Sequence, residues 1–185
     1  MSAKKTKLRG NQIDYRFFTI DHATKEQLEH YKCGNDYIDD FMKNKAKEDD
    51  EAVSYYWENV KTGEIIATAS ICCTGLIVRS GEVFNIYPAV EIRYFGVDES
   101  YQDIQYDEDI RSGILSDCIL LSLEYEIINE VKKMCGFQFI VLYSTPDAEK
   151  FYEQNGYVDF VSSLVKSADI RNQGCIPKFK ILDPI

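Results

Sequence analysis

Residues 137–157 read FQFIVLYSTPDAEKFYEQNGY, and this stretch decides which fold the chain can adopt. Residues 137–144 form an apolar run with the length of a buried strand. A threonine and a proline follow, a pair typical of a helix start, and Gly156 can take the left-handed conformation that ends a helix. The stretch therefore predicts a buried strand followed at once by a short helix, on which Tyr152 points inward to the sheet.

The residues before that strand predict a long and deeply packed helix. Residues 112–134 are apolar around much of the helical circumference, and Ser112 is the expected N-cap. A helix between two strands is the usual crossover that makes the second strand parallel to a neighbour. We therefore expect the strand at 137–144 to have a parallel partner in the sheet.

The rest of the chain predicts a mixed α/β (α+β) protein. Alternating and β-branched runs indicate strands, and amphipathic stripes indicate helices. Lys61, Thr62 and Gly63 form a turn signal between two of these strands, which we expect to pair as a hairpin. The expected strands are 13–20, 52–60, 64–78, 89–97, 157–163 and 178–182, and the expected helices are 24–34 and 35–50.

Charge and composition limit the function classes. The chain has 185 residues, of which 45% are hydrophobic, and a formal net charge of -10. These values fit one globular domain, which we place at residues 11–185 after a disordered basic tail at residues 1–10. An acidic chain repels phosphate, so a nucleic-acid partner is disfavoured. The basic opening residues lack the apolar stretch expected of a signal peptide, and no later apolar run approaches about 18 residues, so we expect a cytoplasmic protein without a membrane partner.

Two further features predict local structure rather than a site. Residues 98–109 contain six acidic residues and no basic one, without helix or strand periodicity, so we expect an exposed loop. The six cysteines have no Cys-x-x-Cys spacing and mostly lie in apolar segments. We therefore expect reduced core thiols, with neither a disulfide framework nor a metal site.

Three motifs resemble the GNAT superfamily of acyl-CoA-dependent N-acetyltransferases. The sequence Ala148-x-x-Phe151-Tyr152-x-x-x-Gly156-Tyr157 is similar to the family's Ala-x-x-Phe-Tyr-x-x-x-Gly-Phe. Residues 88–102, PAVEIRYFGVDESYQ, are similar to its central strand, Val-Asp ending and following glutamine. Residues 31–42, YKCGNDYIDDFM, resemble the Cys-Gly and Leu-Asp-x-Phe-Leu pattern of its toxin-type branch. Together the motifs cover most of residues 13–161.

The resemblance implies a fold and an activity. The fold is a GNAT-like mixed sheet, largely antiparallel, of six to seven strands flanked by about four helices. The activity is transfer of an acetyl group from acetyl-CoA to a primary amine, by direct attack in a ternary complex. The acceptor would be a small molecule or a peptide, and the acidic loop favours a cationic one, such as a polyamine, an aminoglycoside-like base or a lysine-rich peptide.

The matching positions imply roles for particular residues. Such a transfer needs a hydrogen-bond donor for the carbonyl oxygen, a base for the amine and an acid for the sulfur. Tyr152 is the expected acid, because a phenol with a pKa of about 10 is protonated at pH 7. Glu91 is the candidate base. The residues that would bind acetyl-CoA along the two strand ends are Phe95, Gly96, Val97 and Ser144.

Structural roles are the alternatives for both catalytic candidates. An inward-facing tyrosine on a short helix often serves packing alone, so Tyr152 can be a core residue whose hydroxyl is satisfied. Glu91 can be a solvated strand residue or an ion-pair partner of Arg93.

The chain departs from the family at the diphosphate-binding loop. The family has Gln/Arg-x-x-Gly-x-Gly/Ala, whose backbone N–H groups bind the diphosphate of coenzyme A. Here Gln102 is followed by DIQYDED. In one account the helix starts later, and the anion is bound by Arg111, Ser112, Gly113 and Ile114. In the other, the cofactor site has degenerated, and the chain is a GNAT-shaped, non-catalytic interaction module.

The toxin-type motif implies further partners. Members of that branch act on aminoacyl-tRNA and bind a small antitoxin, so an antitoxin-like protein is a candidate partner, and a homodimer is also open. The negative net charge disfavours a tRNA acceptor.

Overall fold

A computed structural model describes residues 13–80, 82–106, 113–134, 136–160 and 174–182 of the chain. The predicted tail at 1–10 and two of the predicted anion-binding residues, Arg111 and Ser112, lie outside these ranges.

Seven strands and four α-helices occur within the described residues. The strands are β1 (Tyr15–Thr19), β2 (Val53–Asn59), β3 (Ile65–Ser80), β4 (Val83–Val97), β5 (Phe139–Ser144), β6 (Val158–Asp159) and β7 (Ile176–Ile181). The helices are α1 (Lys25–His30), α2 (Asp36–Asn44), α3 (Leu115–Glu126) and α4 (Glu149–Gln154). Each element lies within or overlaps a segment in which the sequence predicts its type.

The strands form one mixed sheet, in the order β1-β2-β3-β4-β5-β7-β6. β1 is antiparallel to β2, and β7 is antiparallel to both β5 and β6. β5 is parallel to β4, with Ala89 opposite Phe139 and Ile92 opposite Leu142. The predicted mixed, largely antiparallel sheet and the predicted parallel partner of β5 are both confirmed.

The chain divides into two compact units. The first contains Met1–Ser70 and Tyr94–Val131, and the second contains Ile71–Arg93 and Lys132–Ile185. In the first unit, a core cluster forms around Tyr31, Phe41, Met42, Tyr56 and Ile65. In the second unit, a core cluster contains Leu76, Ala89 and Val141. The partly buried rings of Phe139, Phe160 and Phe179 pack against it. Each fully buried large apolar side chain contributes about 1.5–3 kcal/mol, so these clusters stabilise their units.

The first two helices are shorter than predicted. α1 begins after a capping box in which Thr24 and Gln27 bond each other's backbone N–H groups. The side chain of Asn35 caps α2 in the same way, by accepting from the first-turn N–H groups. α2 was expected to reach residue 50 but ends at Asn44, because the residues that follow are mostly charged and give the helix no further apolar stripe.

The long helix also begins later and ends earlier than predicted. Its N-cap position is Ile114 and not Ser112. The N–H of Leu115 donates to the carbonyl of Ile104, and the N–H of Tyr106 donates to the carbonyl of Gly113. This short antiparallel bridge uses the residues where the helix was expected to start. After α3 the chain continues as a turn of π-helix, Ile127–Val131.

Two expectations about exposure are wrong. The acidic segment is not simply an exposed loop, because Glu99–Tyr101 form a 3-10 turn and the rings of Tyr101 and Tyr106 are buried. Residues 107–109 lie outside the described part of the chain. The five cysteines that the structure describes are free thiols as expected, but none of them is a fully buried core residue. Cys73, on β3, is exposed.

Among the described helices, none is both long enough and apolar enough to cross a bilayer.

Candidate active site

Tyr152 lies on α4 with its side chain turned into the core of the second unit. Only 7% of its surface is exposed. The rings of Phe151 and Tyr157 stand edge-on to it, with centroids 5.1 and 5.6 Å from its own. The predicted glycine after the helix end is confirmed, since Gly156 has a φ of 85°. The start differs from the prediction, because Pro146 begins a 3-10 turn (Pro146–Ala148), Thr145 makes no side-chain capping bond, and α4 itself starts at Glu149. The short helix therefore presents the tyrosine inward, as the sequence predicts.

The Tyr152 phenol is protonated at neutral pH. Burial raises its pKa well above the ordinary value, and a negative charge at Cys175 would raise it further. Burial also raises the pKa of the Cys175 thiol, so that neighbour is neutral too. Among the described residues, no hydrogen bond to the Tyr152 hydroxyl is found. No described partner therefore competes for its proton.

A buried lysine that sequence reasoning missed lies beside α4. The ammonium nitrogen of Lys178 is 2.5 Å from Asp159 Oδ1, 3.3 Å from Glu153 Oε1 and 3.8 Å from Glu149 Oε1. Its side chain has no exposed surface. Burial lowers the pKa of Lys178, but the hydrogen bonds that its ammonium group donates to Asp159 and Glu153 outweigh this effect and raise the pKa, so Lys178 stays a cation. The closest two partners are 19 and 25 residues away along the chain, so no local spacing points to this cluster.

Glu91 and Ser144 lie on the two strands that pair in parallel. Glu91 is buried and lies opposite Val141 in the ladder. Its burial excludes the alternative in which Glu91 is only a solvated strand residue. Glu91 also has an interaction partner. Ser144 is buried, and its hydroxyl donates to the carbonyl of Thr145 at 2.8 Å. The Ser144 hydroxyl can therefore only accept a hydrogen bond from a ligand, because its proton is already donated to Thr145.

The parallel register of these strands stops before either strand ends. The last pair is Ile92 with Leu142. β4 nevertheless continues to Val97, and β5 continues to Ser144. The binding of a ligand by backbone groups at these strand ends, which the GNAT resemblance implies, stays a prediction.

Gly96 is required by close packing inside the first unit. A Cβ atom at Gly96 would lie 2.5 Å from the hydroxyl oxygen of Tyr31 and 2.9 Å from Sγ of Cys33. The same Tyr31 oxygen accepts a hydrogen bond from buried Thr68 at 3.0 Å, so it has little freedom to move. Phe95 is half-buried and Val97 is buried. The backbone at the end of β4 is thus held firmly in place.

Gln102 fixes the end of β4 to the segment that follows α1. Its side-chain amide donates to the carbonyl of Val97 at 2.8 Å and to the carbonyl of Cys33 at 3.0 Å. The family resemblance includes this glutamine, and here it has a structural explanation.

The predicted anion site at the start of α3 stays a prediction, and the described residues there both favour and oppose it. Gly113 has a φ of 76°, a conformation that favours glycine, and Ile114 takes the N-cap position. However, the N–H of Leu115 already donates to Ile104. Asp117 also places a carboxylate in the first turn, close enough that Oδ2 would be 3.3 Å from a Cβ at Gly113. A diphosphate at this helix end would meet a negative charge.

Comparison with known proteins identifies the fold. No protein-family model and no curated protein sequence matches the chain. Solved structures do match it: a bacterial toxin has 20% identity and a TM-score of 0.65, with 89% of this chain and 90% of that chain covered. The chain has the GNAT fold.

Two further GNAT-fold structures have ligands in their descriptions. A mutant of the toxin AtaT, bound to acetyl-CoA and the C-terminus of the antitoxin AtaR, has 12% identity and a TM-score of 0.61, with 90% of this chain and 92% of that chain covered. AtaT complexed with acetyl-methionyl-tRNA has 12% identity and a TM-score of 0.64, with coverages of 89% and 94%. The similarity of this chain to both is a similarity of fold.

The residues that the GNAT resemblance assigns to acetyl-CoA stay predictions at both ends of the cofactor. At the acyl end, Tyr152 is a buried, protonated phenol within the second unit. The diphosphate end is matched by Gly113 and opposed by Asp117. The sequence lacks the family's glycine-rich diphosphate loop, and the described residues at the start of α3 add a carboxylate, Asp117, where that loop would be favourable for an anion.

Proposed function

We propose that this protein is an acetyl-CoA-dependent N-acetyltransferase that moves an acetyl group to a primary amine by direct attack. The proposal rests chiefly on Tyr152, a buried and protonated phenol at the family's acid position in a chain with the GNAT fold. Acetyl-CoA is present in a neighbouring structure of that fold, which supports it as the acyl donor. A cytoplasmic location remains part of the proposal.

The proposed reaction assigns one proton transfer to each catalytic candidate. The amine nitrogen bonds to the carbonyl carbon of the thioester, and backbone N–H groups at Phe95, Gly96 and Val97 bind the oxygen as it becomes negative. The carbon–sulfur bond then breaks, and Tyr152 gives its proton to the sulfur. Glu91 accepts the proton that the amine loses, directly or through water. Return of that proton to Tyr152 through solvent restores both residues.

The test is release of the coenzyme A thiol in the presence of candidate amines. Purified protein is mixed with acetyl-CoA and with spermidine, an aminoglycoside or a lysine-rich peptide, and the free thiol is measured with a chromogenic disulfide. Acetylation of one acceptor, verified by mass spectrometry, supports the proposal. If no acceptor is acetylated and acetyl-CoA does not bind, the non-catalytic interaction module becomes the better description.

The comparisons favour a second candidate, transfer to aminoacyl-tRNA by a toxin that an antitoxin controls. AtaT, which shares the fold, is described in complex with acetyl-methionyl-tRNA and with an antitoxin segment. The net charge of -10 opposes this acceptor, because tRNA binding depends on neutralising phosphates. Incubation with aminoacyl-tRNA and labelled acetyl-CoA distinguishes the two, and label on the tRNA that declines steeply with added salt would favour the second candidate.

A further inference from the structure

Lys178 is a fully covered lysine in the middle of an otherwise ordinary strand. In the ladder of the second unit it lies opposite Leu142 on β5 and opposite Asp159 on β6. Burying an ammonium group is costly unless carboxylates surround it. Lys178 meets that requirement with three carboxylates within 3.8 Å, whose side chains remain 35–57% exposed. The lysine is thus the one buried member of a charged group.

Two of the three carboxylates belong to the helix that carries Tyr152. Glu149 and Glu153 are four residues apart on α4, so they share one face, and Tyr152 lies between them in sequence on the buried side. α4 has only six residues, which is too short for a helix to be stable by itself. Its position must therefore be set by contacts with other elements, and Lys178 supplies a charged one.

The cluster is better explained as an anchor than as a metal site. Glu149, Glu153 and Asp159 place oxygen atoms within 4.8 Å of one another, a spacing that can hold a cation. The ammonium of Lys178 already lies among these oxygens, and it supplies the positive charge that a metal ion would bring. A second cation at the same place would be repelled.

We propose that Lys178 is a positioning residue for the acetyl transfer: it fixes α4 to β6 and β7 and so sets the place of the Tyr152 hydroxyl. This inference depends on the proposed function for its catalytic consequence. Its structural half, that Lys178 restrains α4, can be measured without any turnover.

The experiment compares Lys178→Met with Lys150→Met. Methionine keeps most of the length of the buried side chain but removes its charge, and Lys150 is an exposed lysine of the same helix, so the control has the same change in net charge. Hydrogen exchange with mass spectrometry follows the amides of residues 149–154, and thiol release gives kcat and KM. We expect exchange in α4 to rise about tenfold and kcat to fall about 10- to 100-fold in Lys178→Met. The KM for acetyl-CoA, exchange in α3 and all properties of Lys150→Met should stay within twofold.

A charge-based variant keeps the test decisive if Lys178→Met fails to fold. The double variant Glu149→Gln, Glu153→Gln removes the α4 half of the anchor at partly exposed positions, and should also speed exchange in α4 and lower kcat. Unchanged exchange in α4 would overturn the inference, and so would faster exchange with unchanged kcat. If the unaltered protein shows no transfer at all, the proposed function fails, and the exchange measurements still decide whether Lys178 restrains α4.

Discussion

The hydroxyl of Tyr152 is the group on which the proposed chemistry depends most. Tyr152→Phe removes one oxygen atom from a ring that stays packed between Phe151 and Tyr157. We predict that kcat falls about 100-fold, the lower end of what a general acid contributes. The Kd for acetyl-CoA should stay within twofold, because the proton is needed only as the thiolate leaves. Steady-state thiol release and calorimetry measure the two quantities.

Tyr157→Phe is the matched control for that variant. It removes a hydroxyl from the neighbouring ring of the same cluster and creates the phenylalanine that the GNAT motif commonly has at this place. It should leave kcat within about twofold. Equal losses of kcat in the two variants would assign Tyr152 to packing alone.

Cys33 and Cys73 should differ strongly in reactivity. Burial, which is the largest cause, raises the pKa of Cys33 from its ordinary 9.0 to about 12. A shift of three pKa units reduces the reactive thiolate about 1000-fold at pH 8. We therefore predict that iodoacetamide at pH 8 modifies exposed Cys73 long before Cys33, as measured by peptide mass spectrometry. Unfolding in guanidinium should remove the difference, and similar rates in the folded protein would contradict the burial of Cys33.

The sign of the Cys33 shift also fixes a pH dependence of stability. The folded state holds the proton of this thiol more tightly than the unfolded state does. The contribution of Cys33 to the free energy of unfolding is therefore complete below the ordinary pKa of the thiol. It decreases as pH rises from about 9 toward 12, where the folded protein also loses the proton.

At the scale of elements, the end of β4 is held by contacts that leave no room for a side chain. Gly96→Ala would bring a methyl group to 2.5 Å from the Tyr31 hydroxyl oxygen. We predict a loss of about 1–3 kcal/mol in the free energy of unfolding, measured by urea denaturation. Gly136→Ala is the control, because a Cβ there would meet nothing within 4 Å.

The double variant Gly96→Ala, Tyr31→Phe identifies the cause of that loss. Removing the Tyr31 hydroxyl relieves the closest contact, so the two changes together should cost less than the sum of their separate effects. Strict additivity would mean that the Tyr31 oxygen is not what excludes a side chain at Gly96.

The start of α3 is the place where the proposed binding of the coenzyme A diphosphate can be tested. If it binds at the helix end near Gly113, the carboxylate of Asp117 weakens binding by repulsion. Asp117→Asn should then tighten acetyl-CoA about fivefold, which corresponds to about 1 kcal/mol. S-acetyl-pantetheine, which lacks the diphosphate, should bind both proteins equally. An unchanged Kd for acetyl-CoA would place the diphosphate elsewhere or show that the site has degenerated.

Local signals were sufficient to predict most elements but not their exact ends. The 3-10 turn that leads into α4 and the end of α4 follow from Pro146 and Gly156, which act through their own backbone preferences. The start of α3 could not be predicted from Ser112, because it depends on a bridge between Gln105 and Ile114. The same limit applies to the site. The helical spacing of apolar residues predicts that Tyr152 points inward. The partners of Lys178 are distant in sequence, and only the folded sheet brings them close to it.

At the scale of the whole molecule, the two proposed acceptor classes differ in the charge that they carry. The fold is shared with AtaT, whose described ligands include an acetylated tRNA. The charge of -10 favours a cationic amine, because long-range attraction raises the local concentration of such a substrate. Both acceptors would be acetylated by the same chemistry at Tyr152, so the acyl donor is the substrate that can be tested first.

Calorimetric titration with acetyl-CoA tests the central claim most directly, because it requires no knowledge of the acceptor. We predict a saturable binding heat with one site per chain and a Kd in the micromolar range, about -8 kcal/mol, with little change in Tyr152→Phe. The absence of binding heat up to millimolar acetyl-CoA, with the protein folded, would contradict acyl transfer by this chain.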